Sequence, residues 1–220
     1  DCLAEDAPDR VIFAASRNPQ PDSRPNVTQV RVDYAEPATL DALAEIAAAD
    51  GPLDLVIVAT GLLHDGAFQP EKDWRQLDAA GLARSFEANT IGPALAAKAL
   101  LPVMPKDGWS VFAALSARVG SICDNRLGGW YGYRASKAAL IMILRCLAIE
   151  LQRKRRQTIC VGLHPGTVDT GLSKPFQSAT KPGQVVEAEV SARNLLGVIG
   201  GLEADANGSV FAWDGTRVPE

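Results

Sequence analysis

A chain of 220 residues is the size of one large α/β domain or at most two small ones. With 47% hydrophobic and 22% charged residues it has ordinary globular composition, which excludes general disorder. A net charge of −4 gives no global basic field for nucleic acid, and the longest stretch free of Asp, Glu, Lys and Arg, 157–168, has 12 residues where a spanning helix needs ~20.

The chain begins without Met, and residues 1–6 read as the tail of a helix, with no secretory signal peptide in view. Short apolar runs follow at 11–15, 27–32, 55–60, 111–115, 158–163 and 209–213. Most are continuous rather than alternating, as suits parallel strands buried on both faces. Helical patterns lie between them near 38–48, 73–104, 133–153 and 186–202. The repeated strand–helix order predicts a single-domain α/β fold, a Rossmann-like doubly wound parallel sheet with right-handed crossovers. Segments 17–25 and 173–183 read as surface loops. Within the third helix, residues 138–149 carry one charge, Arg145, in twelve positions. A helix apolar all round is buried on more than one side, so it is predicted to pack on the sheet and on a partner subunit, through Ile141 and Leu144. The four cysteines (Cys2, Cys123, Cys146, Cys160) form no CxxC pair. They read as buried free thiols of a cytoplasmic protein, with no zinc site or disulfide framework.

The residues that could do chemistry cluster in the second half. Tyr133 and Lys137 are four apart, so on a helix they share a face. A free phenol, with a pKa of ~10, is a poor acid–base group at neutral pH, and a nearby lysine charge favours the phenolate. The pair is a credible acid–base device for carbonyl or alcohol chemistry. Ser116 follows an apolar strand, at the strand edge where open α/β sheets place their sites. The run Pro165-Gly166-Thr167-Val168-Asp169-Thr170 follows the next strand. Asn89 falls inside the 73–104 helical pattern, where its poor propensity asks for a functional or packing reason.

These elements, in this order, resemble the short-chain dehydrogenase/reductase family, and residues 116–140 resemble its C-factor and sniffer-type carbonyl reductase subgroup. The resemblance implies an enzyme that moves a hydride between a nicotinamide cofactor and a carbonyl or secondary alcohol. It implies Tyr133 as proton donor or acceptor, and Lys137 as the ribose-binding group that lowers the Tyr133 pKa. Asn89 would hold a water behind Lys137. Thr170, with Pro165 and the backbone at Val168, would fix the carboxamide, and Asp33 would contact the adenine. The family's Asn-Asn-Ala-Gly turn reads Val58-Ala59-Thr60-Gly61 here, so only Gly61 carries over. The family's catalytic serine position is Ala117; Ser116 is the preferred substitute, with Ser121 or no serine as alternatives.

Cofactor choice turns on Ser16-Arg17-Asn18, after the first apolar run. NAD-preferring sites place an acid there for the ribose 2′-hydroxyl. Arg17 suits a 2′-phosphate instead, so NADP is expected over NAD. No glycine-rich turn precedes Val11. The resemblance therefore implies a chain without the family's first strand and turn, roughly 20 residues of a βαβ unit of ~30. The strands at 11–15 and 55–60 should then flank a gap and form no ladder with each other. The expected partners are a small-molecule carbonyl or alcohol and further copies of the chain, as a homodimer or homotetramer, with no nucleic acid and no membrane. Ala117 and the lost asparagines also allow a different class, a nucleotide-binding regulatory protein with little turnover. His64 and His164 read as structural rather than catalytic, and Trp130 and Tyr131 as either the lining of an apolar pocket or core aromatics.

Overall fold

The computed structural model describes residues 1–154, 157–179 and 183–219. Among the described residues eight strands form: β1 (Ile12–Ser16), β2 (Val27–Arg31), β3 (Leu55–Val58), β4 (Ser110–Leu115), β5 (Thr158–His164), β6 (Thr167–Val168), β7 (Val185–Val186) and β8 (Val210–Ala212). Six α-helices accompany them: α1 (Cys2–Asp6), α2 (Ala38–Asp50), α3 (Ala79–Phe86), α4 (Gly92–Leu100), α5 (Tyr131–Lys154) and α6 (Ala188–Gly200). Every ladder between strands is parallel. The large sheet runs β3-β4-β5-β8, and β1-β2 form a separate pair.

β4 and β5 are buried along nearly their whole length, which is why their sequences are continuous apolar runs. One core packs α2, α4 and α5 against one face of both sheets: Val30 of β2, Val56 and Val58 of β3, and Phe112 and Ala114 of β4 all belong to it. The two sheets therefore share a core without sharing a ladder. Leu195 and Ile199 of α6 close the opposite face over Val111, Ala113 and Val161. The helix–sheet–helix sandwich expected from the element order is what forms. β1 pairs with β2 alone and β3 with β4 alone, so β1 and β3 are not ladder neighbours, as expected. α1 is tied to α6 by Arg193, whose guanidinium meets Glu5 and Asp6.

The helix expected over 73–104 is broken. A 3₁₀ turn covers Trp74–Gln76, and Asp78 then caps α3 by accepting from the Gly81 amide at 2.8 Å. A π turn over Glu87–Ile91 separates α3 from α4, and Asn89 and Thr90 are its buried residues. That turn accounts for the mid-helix Asn, since π turns inside helices frequently mark functional sites. The short parallel pair β6–β7 went unseen in the sequence, being only two residues per strand. Two thiols are correctly expected as buried, Cys2 and Cys160, but Cys123 and Cys146 are exposed. Loop 173–183 includes Thr180, Lys181 and Pro182, which lie outside the described residues.

Candidate active site

The C-terminal ends of β3, β4 and β5 deliver Gly61, Ser116 and Pro165 to one cleft of about 560 Å³. Ile12 and Ala14 of β1 and Ile57 of β3 wall it, so it occupies the break between the two sheets. Tyr133 and Lys137 enter it from the first turns of α5, and Val168 and Thr170 from the segment after β5. The cleft at the strand ends is where an open α/β sheet exposes backbone and loop groups to a ligand.

Close packing holds α5 in place. A Cβ at Gly120 would come within 2.9 Å of Lys137 Cβ, and one at Gly132 within 2.9 Å of Ser85 Oγ. Only glycine lets the β4–α5 connection and α3 approach α5 so nearly. Thr90 Oγ1 donates to the Ser136 carbonyl at 2.7 Å. Glu71, 5% exposed, accepts from the Gly132 amide with Oε2 at 3.1 Å. A carboxylate at a helix start satisfies an orphan amide and suits the dipole.

Lys137 is buried, and its Nζ donates to the Leu115 carbonyl at 2.6 Å. It lies 5.9 Å from the centre of the Tyr133 ring. Burial pushes the Lys137 ammonium down to about 8 and the Tyr133 phenol up to about 12. The expectation that Lys137 lowers the Tyr133 pKa is thus reversed here: the ammonium is held on a carbonyl, and desolvation of the phenolate dominates. Among the described residues no group hydrogen-bonds Ser116 Oγ, although it is buried in the wall of the cleft. Ser121 is not in the cleft wall, and its Oγ accepts from the Asp124 amide at 3.1 Å. Ala117 packs on Tyr133 with Leu63 in a small apolar cluster.

Asn89 is wholly buried and sits behind the cleft. Its Oδ1 accepts from Leu62 N at 2.8 Å, and its Nδ2 donates to Leu62 O at 2.8 Å and Ser136 Oγ at 3.1 Å. The side chain therefore staples the Gly61 turn to α5 and has no free donor for the expected water. Asp33 stands apart from the cleft wall; its Oδ1 accepts from Ala35 N at 3.0 Å, closing its own turn. Arg17 is exposed just beyond β1 and is also outside the wall. Of the ten residues expected in the site, Tyr133, Lys137, Ser116, Gly61, Pro165, Val168 and Thr170 meet in one cleft. Sequence reasoning missed Glu71, which is 61 residues from its partner and carries no local signal. His64 Nε2 meets the Gly171 carbonyl at 3.0 Å. His164 is held down to about 4, by burial first and then by Arg118, so it is neutral at pH 7.

The model of the family described as short chain dehydrogenase matches residues 13–181. The chain belongs to the short-chain dehydrogenase family. It is 36% identical over 169 residues to C-signal of Myxococcus xanthus, covering 77% of this chain and 93% of that one. The fold is similar to the carbonyl reductase Sniffer of D. melanogaster, with TM-score 0.75 and 25% identity over 89% of this chain and 79% of that one. An NADPH-bound carbonyl reductase from chicken fatty liver has the same fold, with TM-score 0.79 and 24% identity over 96% and 88%. The chain is an oxidoreductase of that family.

The residues present fit the nicotinamide end of the cofactor that the family implies. Ser116 Oγ is a buried hydroxyl in want of a partner. Gly61 brings its backbone beside Asn89 and Lys137, a Cβ there lying 3.5 Å from Asn89 Oδ1 and 3.7 Å from Lys137 Nζ.

Proposed function

We propose that the chain reduces ketones or aldehydes with NADPH, or runs the reverse oxidation, and that Tyr133 handles the proton. The observation that carries this is the cleft itself, which gathers Tyr133, Lys137 and an unpartnered Ser116 hydroxyl at the strand ends. A bound reduced nicotinamide would supply a hydride to the carbonyl carbon. Tyr133 Oη then gives its proton to the carbonyl oxygen, leaving an alcohol. The phenol is protonated at pH 7, the state a donor must start from, although burial makes it a weaker acid than a free tyrosine. Lys137, fixed on Leu115, presents its ammonium to the ribose, and Ser116 Oγ donates to the carbonyl oxygen. Asn89 positions the Gly61 turn against the same ligand. Arg17 favours the 2′-phosphate, since its guanidinium is exposed and segment 16–18 holds no acid.

The test is NADPH and NADH oxidation by full-length protein against a panel of carbonyl compounds, with Tyr133→Phe in parallel. The expected result is turnover, preferentially with NADPH, that falls about a thousandfold in Tyr133→Phe while NADPH affinity holds. Turnover within twofold of wild type in that variant would exclude Tyr133 as the donor. A second reading, a nucleotide-binding regulator, is favoured by Ala117 at the family's serine position. Tight NADPH binding without turnover of any carbonyl would support it.

We also infer that two copies pack through α5. Ala135, Met142, Cys146 and Ile149 are exposed on one face of that helix, with Met142 at 63%. Ile141 and Leu144, expected at this interface, are instead buried within the chain.

A further inference from the structure

Trp130 is the one non-glycine residue with positive φ among the described residues, at +50°. A bulky side chain rarely adopts that backbone, and such outliers persist where the surroundings enforce them, often at ligand sites. The enforcement here is visible. Gly128 and Gly129, both at φ +64°, turn the chain toward Glu71. Glycine permits this through its backbone, since a side chain rarely adopts φ +64°, while a Cβ at Gly129 would meet the Glu71 carbonyl at an ordinary 3.5 Å. The Trp130 amide then donates to that carbonyl at 2.5 Å. Two residues on, the Gly132 amide donates to the Glu71 carboxylate. One acidic residue thus grips both sides of Tyr131, and the Trp130 carbonyl accepts from Arg134 in the first turn of α5.

The clamp fixes the indole. Its ring stands edge-on to Tyr133, with centroids 6.3 Å apart, and to Phe176 at 5.0 Å. Phe176 in turn meets His64 at 5.5 Å. These rings come from three segments of the chain, and Trp130, Tyr133 and Phe176 share an apolar cluster with Leu63, Ala117 and Leu172. Tyr133 and Leu172 of this cluster also line the cleft, and Trp130 stands beside that wall, outside its present lining. Trp130 itself is only half-buried, so indole surface remains free for another molecule.

We propose that Trp130 is the specificity-determining residue of this site. It forms a rigid aromatic wall beside Tyr133 that selects carbonyl substrates with a flat apolar flank, aryl aldehydes and ketones above small aliphatic ones. Glu71 is the positioning residue that holds the wall. This rests on the oxidoreductase reading above. Aromatic edge contacts and apolar burial reward a planar flank, and a wall fixed in advance spares the cost of ordering it on binding. Ala117, where the family carries a hydroxyl, keeps the wall apolar next to the phenol.

The test compares kcat/KM for benzaldehyde and butanal, with NADPH, in full-length protein. Trp130→Gly removes the indole and relaxes the left-handed backbone, so the fold should hold; Trp130→Asn is a second variant that tolerates the same φ. Wild type is expected to favour benzaldehyde. Both variants should lower the benzaldehyde/butanal ratio about tenfold, through KM for benzaldehyde, leaving KM for NADPH unchanged. Glu71→Ala should lower the ratio in the same direction, and Glu71→Gln, whose amide oxygen still accepts from Gly132, should restore it. A merely structural role would lower both aldehydes together and leave the ratio fixed, which would overturn the inference alone. Wild-type protein that binds NADPH and reduces neither aldehyde nor any other carbonyl would overturn the oxidoreductase reading and the inference with it.

Discussion

Ser116 shows how far single residues were legible. Its place at the end of an apolar run marked it, but strand alternation argued that it points away from the side used by the residue at Ala117. Both residues serve the site: Ser116 lies in the wall of the cleft that Tyr133 also lines, and Ala117 in the cluster packed on the Tyr133 ring. β4 ends at Leu115, so the alternation no longer governs beyond it. Arg17, expected from its guanidinium at a strand end, and Asp33, implied by the family resemblance, both lie outside the cleft wall. Asp33 commits its carboxylate to the amide of Ala35 two residues on, the turn role that a strand-end Asp commonly takes. The orphaned Ser116 hydroxyl yields a prediction. An unsatisfied buried hydroxyl destabilises, so Ser116→Ala should raise unfolding stability by about 1 kcal/mol. The same change removes a donor to the carbonyl oxygen and should lower kcat about a hundredfold. Urea unfolding and steady-state rates measure the two effects. A variant with unchanged kcat would show that no serine assists the reaction.

At the scale of elements, α5 carries both the chemistry and the strain of burying it. Its tyrosine–lysine spacing was plain in the sequence because i, i+4 residues share a face. The broken helix before it was not, because a π turn has no propensity signature beyond one awkward Asn. Lys137 titrates at about 8 in the folded chain against 10.5 for an unhindered lysine. The unfolded chain therefore binds the proton more tightly. The destabilisation is fully present below pH 8 and is relieved as pH rises toward 10.5, by up to about 3 kcal/mol. Tyr133 acts in a higher window: its stabilisation holds below pH 10 and is lost as pH rises through 12. Lys137→Met keeps the stem and removes the charge. It should be more stable than wild type by about 1–3 kcal/mol at pH 7, with the gain shrinking by pH 9.5, while turnover is lost. Denaturant midpoints at the two pH values decide it. A variant less stable than wild type at pH 7 would mean that the bond to Leu115 outweighs the desolvation of the ammonium.

For the whole molecule, the layered α/β architecture was legible because parallel strands buried on both faces leave continuous apolar runs. The break between β1 and β3 was legible only through the family resemblance, since no sequence pattern names a strand's neighbours. Assembly was half legible. The apolar length of α5 correctly announced a helix with too little polar surface, but sequence alone could not divide its faces. The structure divides them: Ile141, Leu144 and Ala148 serve the chain's own cores, and Met142, Cys146 and Ile149 face outward. The outward residues are spaced so that all fall on one stripe of the helix. Such a stripe, left in water, favours a self-complementary contact with a second copy across a two-fold axis. Met142→Glu places a charge in the middle of that stripe without touching the core. The variant should therefore fold with unchanged unfolding stability per chain at low concentration, yet elute as a monomer where the wild type elutes as a dimer or a dimer of dimers. Ile141→Glu, by contrast, should fail to fold, since it buries a charge at a position that is 7% exposed within one chain. Light scattering on wild-type protein gives the decisive reading: a monodisperse monomer would show that the α5 stripe does not hold two copies together.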